Sequence, residues 1–310
     1  MTKLGTSDLG VSRLCLGGNV FGWTADEETS FAVLDAYVAA GGDFVDTADA
    51  YSAWAEGHTG GESETIIGRW LRSRGNRDRV VVATKVGMLA GLDDLKAATI
   101  ERAAEDSLRR LGVDHIDLYY AHKDDPGTPQ EETLAAFDRL VRAGKVRHIA
   151  ASNYTADRLT SALAVSEREG FAGFVALQQA YNLVDRSYEG ELSRAVADHG
   201  LSSAPYWGLA KGFLTGKYRP GVTVESARAA AASRYLDERG LRVLTALDEV
   251  AVGRGTTPAA VALAWLADQP TVAAPIASAR TVDQLAELLP ALELRLAADE
   301  IAALSTASEV

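Results

Sequence analysis

Cysteine is nearly absent from this chain: Cys15 is the only one in 310 residues. An internal disulfide is therefore excluded. Set between Leu14 and Leu16, its thiol reads as part of a buried strand. Long apolar runs are missing too. No stretch reaches the roughly 18 residues that a membrane-crossing helix requires, so no membrane role is expected. The first sixteen residues have neither the basic start nor the long apolar segment of a secretory signal, and a cytoplasmic location is expected. Positive charge is scarce: 31 Lys and Arg face 43 Asp and Glu, a formal net charge of −12. That balance lacks the basic footprint of nucleic-acid binding. An anionic ligand would need a local cluster of cations to override the global field.

Several signatures are also absent. No G-x-G-x-x-G occurs, which weakens a doubly wound dinucleotide fold. The segment Gly212-Phe-Leu-Thr-Gly216-Lys217 is one residue short of a P-loop, and Tyr218 stands where Ser or Thr is required. The histidines at 58, 115, 122, 148 and 199 form no close His-x-His or His-x-x-x-His pair, so no metal site is expected.

What is present is an alternation of short apolar runs with amphipathic helical patterns, the signal of a parallel α/β fold. Strands are expected at Leu14–Gly17, Phe44–Asp46, Val80–Lys85, Ile116–His122, Val146–Ser152, Phe174–Gln178, Leu201–Tyr206 and Val272–Ile276. Helices are expected between them, over 26–40, 62–74, 98–111, 129–143, 156–169, 188–198, 241–267 and 282–288. Gly253, Gly255 and Pro258 threaten to split the seventh helical segment. Thr257 before Pro258 has the form of a capping hydroxyl ahead of a proline at the first helical position. The Ala-rich stretch 227–232 reads as helix or as part of a long loop. Eight strands with eight crossovers suit a closed (β/α)8 barrel, with residues 1–310 as one domain.

Polar residues gather where these strands end, which in a barrel is the active-site face. Asp46, Lys85, His122, Ser152, Asn153, Gln178 and Tyr206 all fall there, and Tyr51 follows Asp46 in its loop. Each has an ordinary structural role when taken alone; their convergence on one mouth points to chemistry. A tyrosine titrates near 10 in water, and a neighbouring ammonium lowers that value. With Asp46 holding Lys85 charged and His122 offering a second donor, Tyr51 becomes a candidate acid for carbonyl reduction.

At these residues the chain resembles the aldo-keto reductase superfamily from about Leu4 to about Leu304. The signposts are Leu16-Gly17-Gly18 with Phe21-Gly22, Asp46-Thr-Ala-Asp-Ala-Tyr51, Gly61-Glu-Ser-Glu64 and Thr84-Lys85-Val-Gly87. They continue through Asp117-Leu-Tyr-Tyr-Ala-His122, Ser152-Asn153, Gln178-Gln-Ala-Tyr-Asn182, Gly212-Phe-Leu-Thr-Gly-Lys217 and Ala279-Arg280-Thr281. The resemblance implies a TIM barrel that reduces an aldehyde or ketone with NADP(H). It implies Asp46, Tyr51, Lys85 and His122 as the catalytic tetrad. Ser152, Asn153 and Gln178 would hold the carboxamide, and Tyr206 would stack on the nicotinamide. Gly212 and Lys217 would lie in the loop that covers the pyrophosphate, and Gly18, Asn19, Trp207, Leu209 and Lys211 would also belong to the cofactor site, the Trp207 indole either reshaping the pocket wall or packing under that loop. Ser278, Arg280, Gln284 and Glu287 would face the adenosine, Arg280 at its 2′-phosphate.

The chain departs from the family pattern at Trp207-Gly208-Leu209, where Ser-Pro-Leu is usual. It departs again at Lys123-Asp124-Asp125, at Ser278 and at Leu288, where an adenine contact is lost. Residues 52–60 read as an insertion carrying Trp54 and His58. With Trp23, Trp54 would give the pocket an aromatic mouth suited to an aryl, polyketide or sugar carbonyl. Trp70, at helical spacing with Ile66 and Ile67, reads as core. A second reading is a cofactor-binding regulatory module like the potassium-channel β subunits, which share this fold.

Overall fold

The computed structural model describes residues 1–226 and 228–309. An antiparallel hairpin opens the chain, β1 (Thr2–Lys3) paired with β2 (Gly10–Val11). Eight parallel strands follow: β3 (Cys15–Gly17), β4 (Phe44–Asp46), β5 (Val81–Val86), β6 (Ile116–Ala121), β7 (Val146–Ser152), β8 (Phe174–Gln178), β9 (Ser202–Ser203) and β10 (Ile276–Ala277). They pair in chain order from β3 to β9, and β10 returns to pair with β3. Hydrogen bonds from Ser203 N to Thr271 O, Ala273 N to Ser203 O and Ile276 N to Pro205 O close the ring. This is the (β/α)8 fold expected from the alternating pattern.

Helices α1 (Glu27–Ala39), α2 (Glu62–Arg74), α3 (Ala97–Leu111), α4 (Gln130–Arg142), α5 (Ala156–Glu169) and α6 (Glu191–Asp198) link successive strands. After β9 come α7 (Ala229–Ala232), α8 (Glu238–Arg254) and α9 (Pro258–Ala267); α10 (Val282–Ala286) and α11 (Ala298–Ala307) follow β10. Side-chain caps start several of them: Asp26 accepts from Thr29 N, and Thr257 accepts from Ala260 N ahead of Pro258. The expected helix over 241–267 is two helices. The break falls at Gly255, whose φ of 60° ends α8, while Gly253 stays helical. Within the Ala-rich stretch, 229–232 is helical and Ala227 lies outside the described residues.

The last two strands are shorter than expected. Pro205 and Pro275 have no N–H to give to the ladder, so regular pairing shrinks to Ser202–Ser203 and Ile276–Ala277. Their carbonyls still accept, from Ile276 N and Cys15 N. Neither the opening hairpin nor α11 was expected from the pattern. The hairpin's strands are two residues each, too short for a period of two to show.

Inward-facing residues fill the barrel. Cys15, Phe44, Ala83, Leu118, Tyr120, Ala150, Ala176, Ala204 and Ala274 form one buried cluster, and Leu4, Leu9 and Val11 of the hairpin region join it. A larger cluster between strands and helices holds Trp70, fully buried as expected, with Nε1 donating to Asp35 at 2.8 Å. No single described helix is long and apolar enough to cross a membrane. The one helix pair that meets that test by composition, α8 with α9, is bent by 98°.

Candidate active site

Strand side chains alternate between faces, so a residue two positions above an inward one also points inward. Above the barrel's buried layer this rule carries Ala83 to Lys85, Phe44 to Asp46, Tyr120 to His122, Ala150 to Ser152, Ala176 to Gln178 and Ala204 to Tyr206. The polar residues singled out in the sequence are thus the next layer of one packed interior, at the C-terminal end of the barrel.

Lys85 is wholly buried, and all three of its protons are used. Nζ donates to Asp46 Oδ2 at 2.7 Å, to the Thr47 carbonyl at 2.7 Å and to the Tyr51 hydroxyl at 2.9 Å. The Tyr51 hydroxyl in turn donates to Asp46 Oδ2 at 3.0 Å. Gln178 Nε2 donates to the other oxygen, Asp46 Oδ1, at 2.9 Å. The ammonium also lies 4.6 Å from the Tyr51 ring centroid. Burial lowers the Lys85 pKa, against the pull of Asp46.

The Tyr51 hydroxyl differs from expectation. Burial, followed by the Asp46 carboxylate, holds its pKa well above 10, so it stands as a protonated phenol. The sequence suggested a lowered value because it showed the ammonium and not that the phenol's own proton rests on the carboxylate. The His122 ring lies 6.1 Å from the Tyr51 ring, and its Nδ1 is buried without a partner among the described residues. Burial, then Lys85 and Lys123, depress the His122 pKa well below 6.5, which keeps the imidazole neutral.

Asn153, in a left-handed backbone with φ of 57°, ties the next strands together. Its Nδ2 donates to the His122 carbonyl at 2.9 Å and to Ser152 Oγ at 3.0 Å, and its Oδ1 accepts from the Tyr206 hydroxyl at 2.8 Å. Ser278 donates to Asn19 Oδ1 at 2.7 Å, joining the ends of β3 and β10. Gly18 packs below them, where a Cβ would lie 2.8 Å from Ser63 Oγ and 3.1 Å from the Asp46 carbonyl. The Gln284 side chain accepts from Arg280 N at 3.1 Å, and the Glu287 carbonyl accepts from Thr257 at 2.6 Å. Leu288 is buried.

Three cations meet over this end of the barrel. Burial, then the neighbouring Arg280, lowers the pKa of both Lys217 and Arg228; Glu287 partly offsets this at Lys217. Among the described residues none of Lys217, Arg228 and Arg280 forms an ion pair, although most other arginines do. Arg228 was missed in the sequence: it sits within the Ala-rich stretch, with no motif to mark it. Such a patch in a chain of net charge −12 fits a polyanion such as a dinucleotide phosphate. The loop 207–212 below it carries three non-glycine residues with positive φ, Trp207, Ala210 and Lys211, and then Gly212 at 98°.

Trp23 and Trp54 do come together, edge to face at 5.5 Å, and Trp54 lies 6.2 Å from the Tyr51 ring. Trp54 is 52% exposed, so the insertion presents an indole at the mouth. His58 does not reach the tetrad and lies 3.7 Å from Glu62. At the opposite end of the barrel a cleft of about 660 Å³ is lined by Arg77, Asp117 and Arg147 among others. Asp117 there accepts from Arg147 and Val82 N and forms an ion pair with Arg77, a charge network that closes the strand starts.

A family model, the aldo/keto reductase family, matches residues 13–309. The chain belongs to the aldo/keto reductase family. This aldo/keto reductase is 38% identical to Uncharacterized oxidoreductase YrpG of Bacillus subtilis (strain 168), over 95% of its length and 91% of that protein's. It is 33% identical to Norsolorinic acid reductase stcV of Emericella nidulans, over 94% and 76% of the two chains. It is also 33% identical to a Probable voltage-gated potassium channel subunit beta of Oryza sativa subsp. japonica, over 94% and 90%. The family is one of oxidoreductases, and its members act on small-molecule carbonyl compounds.

Proposed function

We propose that the protein is an NADP(H)-dependent carbonyl reductase in which Tyr51 gives its proton to the oxygen of an aldehyde or ketone. The observation that carries this reading is the Tyr51 hydroxyl itself, held 2.9 Å from the Lys85 ammonium and 3.0 Å from the Asp46 carboxylate. When bound, the dinucleotide supplies the hydride. Lys217, Arg228 and Arg280 would hold its phosphates, Arg280 at the 2′-phosphate. Trp207, Leu209, Lys211 and Gly212 would follow the pyrophosphate; Gly18, Asn19, Ser278, Gln284 and Glu287 would line the rest. Ser152, Asn153 and Gln178 would orient the carboxamide against Tyr206.

The chain's own residues account for the proton. A phenol surrounded by low-dielectric protein keeps its hydrogen until negative charge grows on the carbonyl oxygen. As the proton leaves, the tyrosinate is met by the Lys85 ammonium already in place. Neutral His122 donates a second hydrogen bond to the same oxygen without competing as an acid. Trp23 and Trp54 favour an aryl group beside the reacting carbon, and the relative named as a norsolorinic acid reductase agrees with a reductase reading.

The test is a titration with NADPH and NADH, followed by aryl aldehydes, sugars and ketones while the reduced-nicotinamide absorbance is watched. NADPH binding with turnover is expected. Tyr51→Phe should still bind NADPH and lose about 10²–10⁴ in kcat; full activity in that variant would defeat the assignment. The relative named as a channel β subunit favours a second reading, a cofactor-binding regulatory module. Binding without turnover on any carbonyl would move the conclusion there.

A further inference from the structure

We infer that Trp207 is a positioning residue that holds the Lys211 ammonium for the dinucleotide's pyrophosphate without neutralising it. The inference rests on the dinucleotide reading above and concerns a residue at which this chain leaves its family's pattern.

The geometry is specific. Lys211 Nζ lies 4.3 Å from the centroid of the Trp207 ring, close to the best distance for an ammonium over an aromatic face. The indole also packs against Tyr206, edge to face at 5.1 Å and 85°. Its backbone is fixed as well: Asn182 Nδ2 donates to the Trp207 carbonyl at 3.0 Å, and Ala210 N donates to it at 2.7 Å. Both Trp207 and Lys211 have left-handed φ values, 55° and 60°, which ordinary side chains avoid. The turn that brings the lysine back over the tryptophan is therefore one the fold maintains against local preference. The indole nonetheless remains 43% exposed, so packing alone does not explain a large aromatic at this place.

A lysine on a flexible four-carbon stem loses entropy when it is fixed on an anion. The common way to fix it beforehand is a carboxylate, and a carboxylate would cancel the charge that the phosphate needs. An aromatic face attracts the ammonium through its quadrupole and leaves the full positive charge available. Among the described residues Lys211 has no carboxylate within ion-pair distance, in a chain where acids outnumber bases by 43 to 31. The indole thus pre-places a cation where the global field would otherwise recruit an acid to it. Because the pyrophosphate is common to both dinucleotides, the effect belongs to NADPH and NADH alike; Arg280, assigned to the 2′-phosphate, separates the two.

Calorimetric titration of NADPH and NADH tests this on the full chain, with wild type, Trp207→Leu, Trp207→Phe, Lys211→Met and the Trp207→Leu/Lys211→Met double variant. Thermal unfolding of each variant checks that it is folded. Trp207→Leu should weaken both dinucleotides by the same factor, about three- to tenfold. Trp207→Phe should recover most of that loss, and in the Lys211→Met background Trp207→Leu should cost nothing further. An equal loss from Trp207→Leu with and without Lys211 would overturn the inference, since the indole would then act by packing alone. Unchanged affinity in Trp207→Leu would overturn it too. Failure of the wild type to bind either dinucleotide would instead remove the reading on which it rests.

Discussion

Gln178 and Asp46 lie 132 residues apart in sequence and are joined by a 2.9 Å hydrogen bond from Gln178 Nε2 to Asp46 Oδ1. That bond occupies one carboxylate oxygen and leaves Oδ2 for both Lys85 and Tyr51. Asp46 is thus the common anchor of a polar set drawn from β4, β5 and β8. In Asp46→Asn the buried Lys85 charge loses its counter-ion. Stability should fall by about 3–5 kcal/mol, the usual cost of removing one partner from a buried pair. Denaturant unfolding measures this, and carbonyl reduction should fall with it. A variant as stable as wild type would show that Lys85 is not held as an ammonium.

The imidazole of His122 supplies a test in pH. Its pKa is depressed well below 6.5 by burial, then by Lys85 and Lys123. The neutral form therefore persists as pH falls through about 6.5, where an ordinary histidine would charge. The rate of carbonyl reduction should show no inflection there. A wild-type inflection near 6.5 that disappears in His122→Asn would contradict this. Stability carries the opposite signature. Below about 6.5 the unfolded chain takes up a proton that the folded imidazole refuses, so His122 should make the fold less stable as pH drops below that point.

Behind the tetrad, the wholly buried Asp49 has no hydrogen-bond partner among the described residues at either carboxylate oxygen. Burial, with Glu64 adding repulsion, raises its pKa to about 8. From about pH 4 upward the unfolded chain has lost this proton while the folded chain keeps it, so wild-type stability should decline across about pH 4–8. Asp49→Asn removes that slope. The stability difference between variant and wild type should shift steadily in favour of the variant over this interval, as chemical denaturation would read. Parallel curves would mean that Asp49 is ionised in the folded protein.

At the mouth, the contact between Trp54 and Trp23 bears on substrate choice. Trp23→Ala and Trp54→Ala should each raise KM for bulky aryl aldehydes more than for a short aliphatic aldehyde. Removing a stacked ring contact of about 0.5–1.5 kcal/mol corresponds to a two- to twelvefold change. Steady-state kinetics on the paired substrates gives the answer, and unchanged ratios in both variants would remove the aromatic mouth from the reading.

Much of this was legible because a strand has a period of two. Asp46 and Lys85 close apolar runs, so their burial and convergence followed once the barrel was read. Phe44–Asp46, Val146–Ser152 and Phe174–Gln178 match the expected strands residue for residue. Two kinds of fact were hidden. Pro205 and Pro275 broke the ladder at the closing strands, where apolar pattern continues although hydrogen bonding cannot. Arg228 reaches the cation cluster from an irregular loop, where no periodicity exists to announce a position. The protonation of Tyr51 was hidden for another reason: sequence shows which groups are near, and only geometry shows which of them the proton rests on.

The N-terminal hairpin gives the barrel a floor. Leu4, Leu9 and Val11 are sealed against interior side chains that already fill the barrel, so the structure is a cup and not a pipe. On the proposed reading, everything the reaction needs must come and go by one opening. A carbonyl compound seated over the nicotinamide would block the dinucleotide's way out. On that reading, traffic through a single door would impose an order: dinucleotide first in and last out, with the alcohol leaving before it.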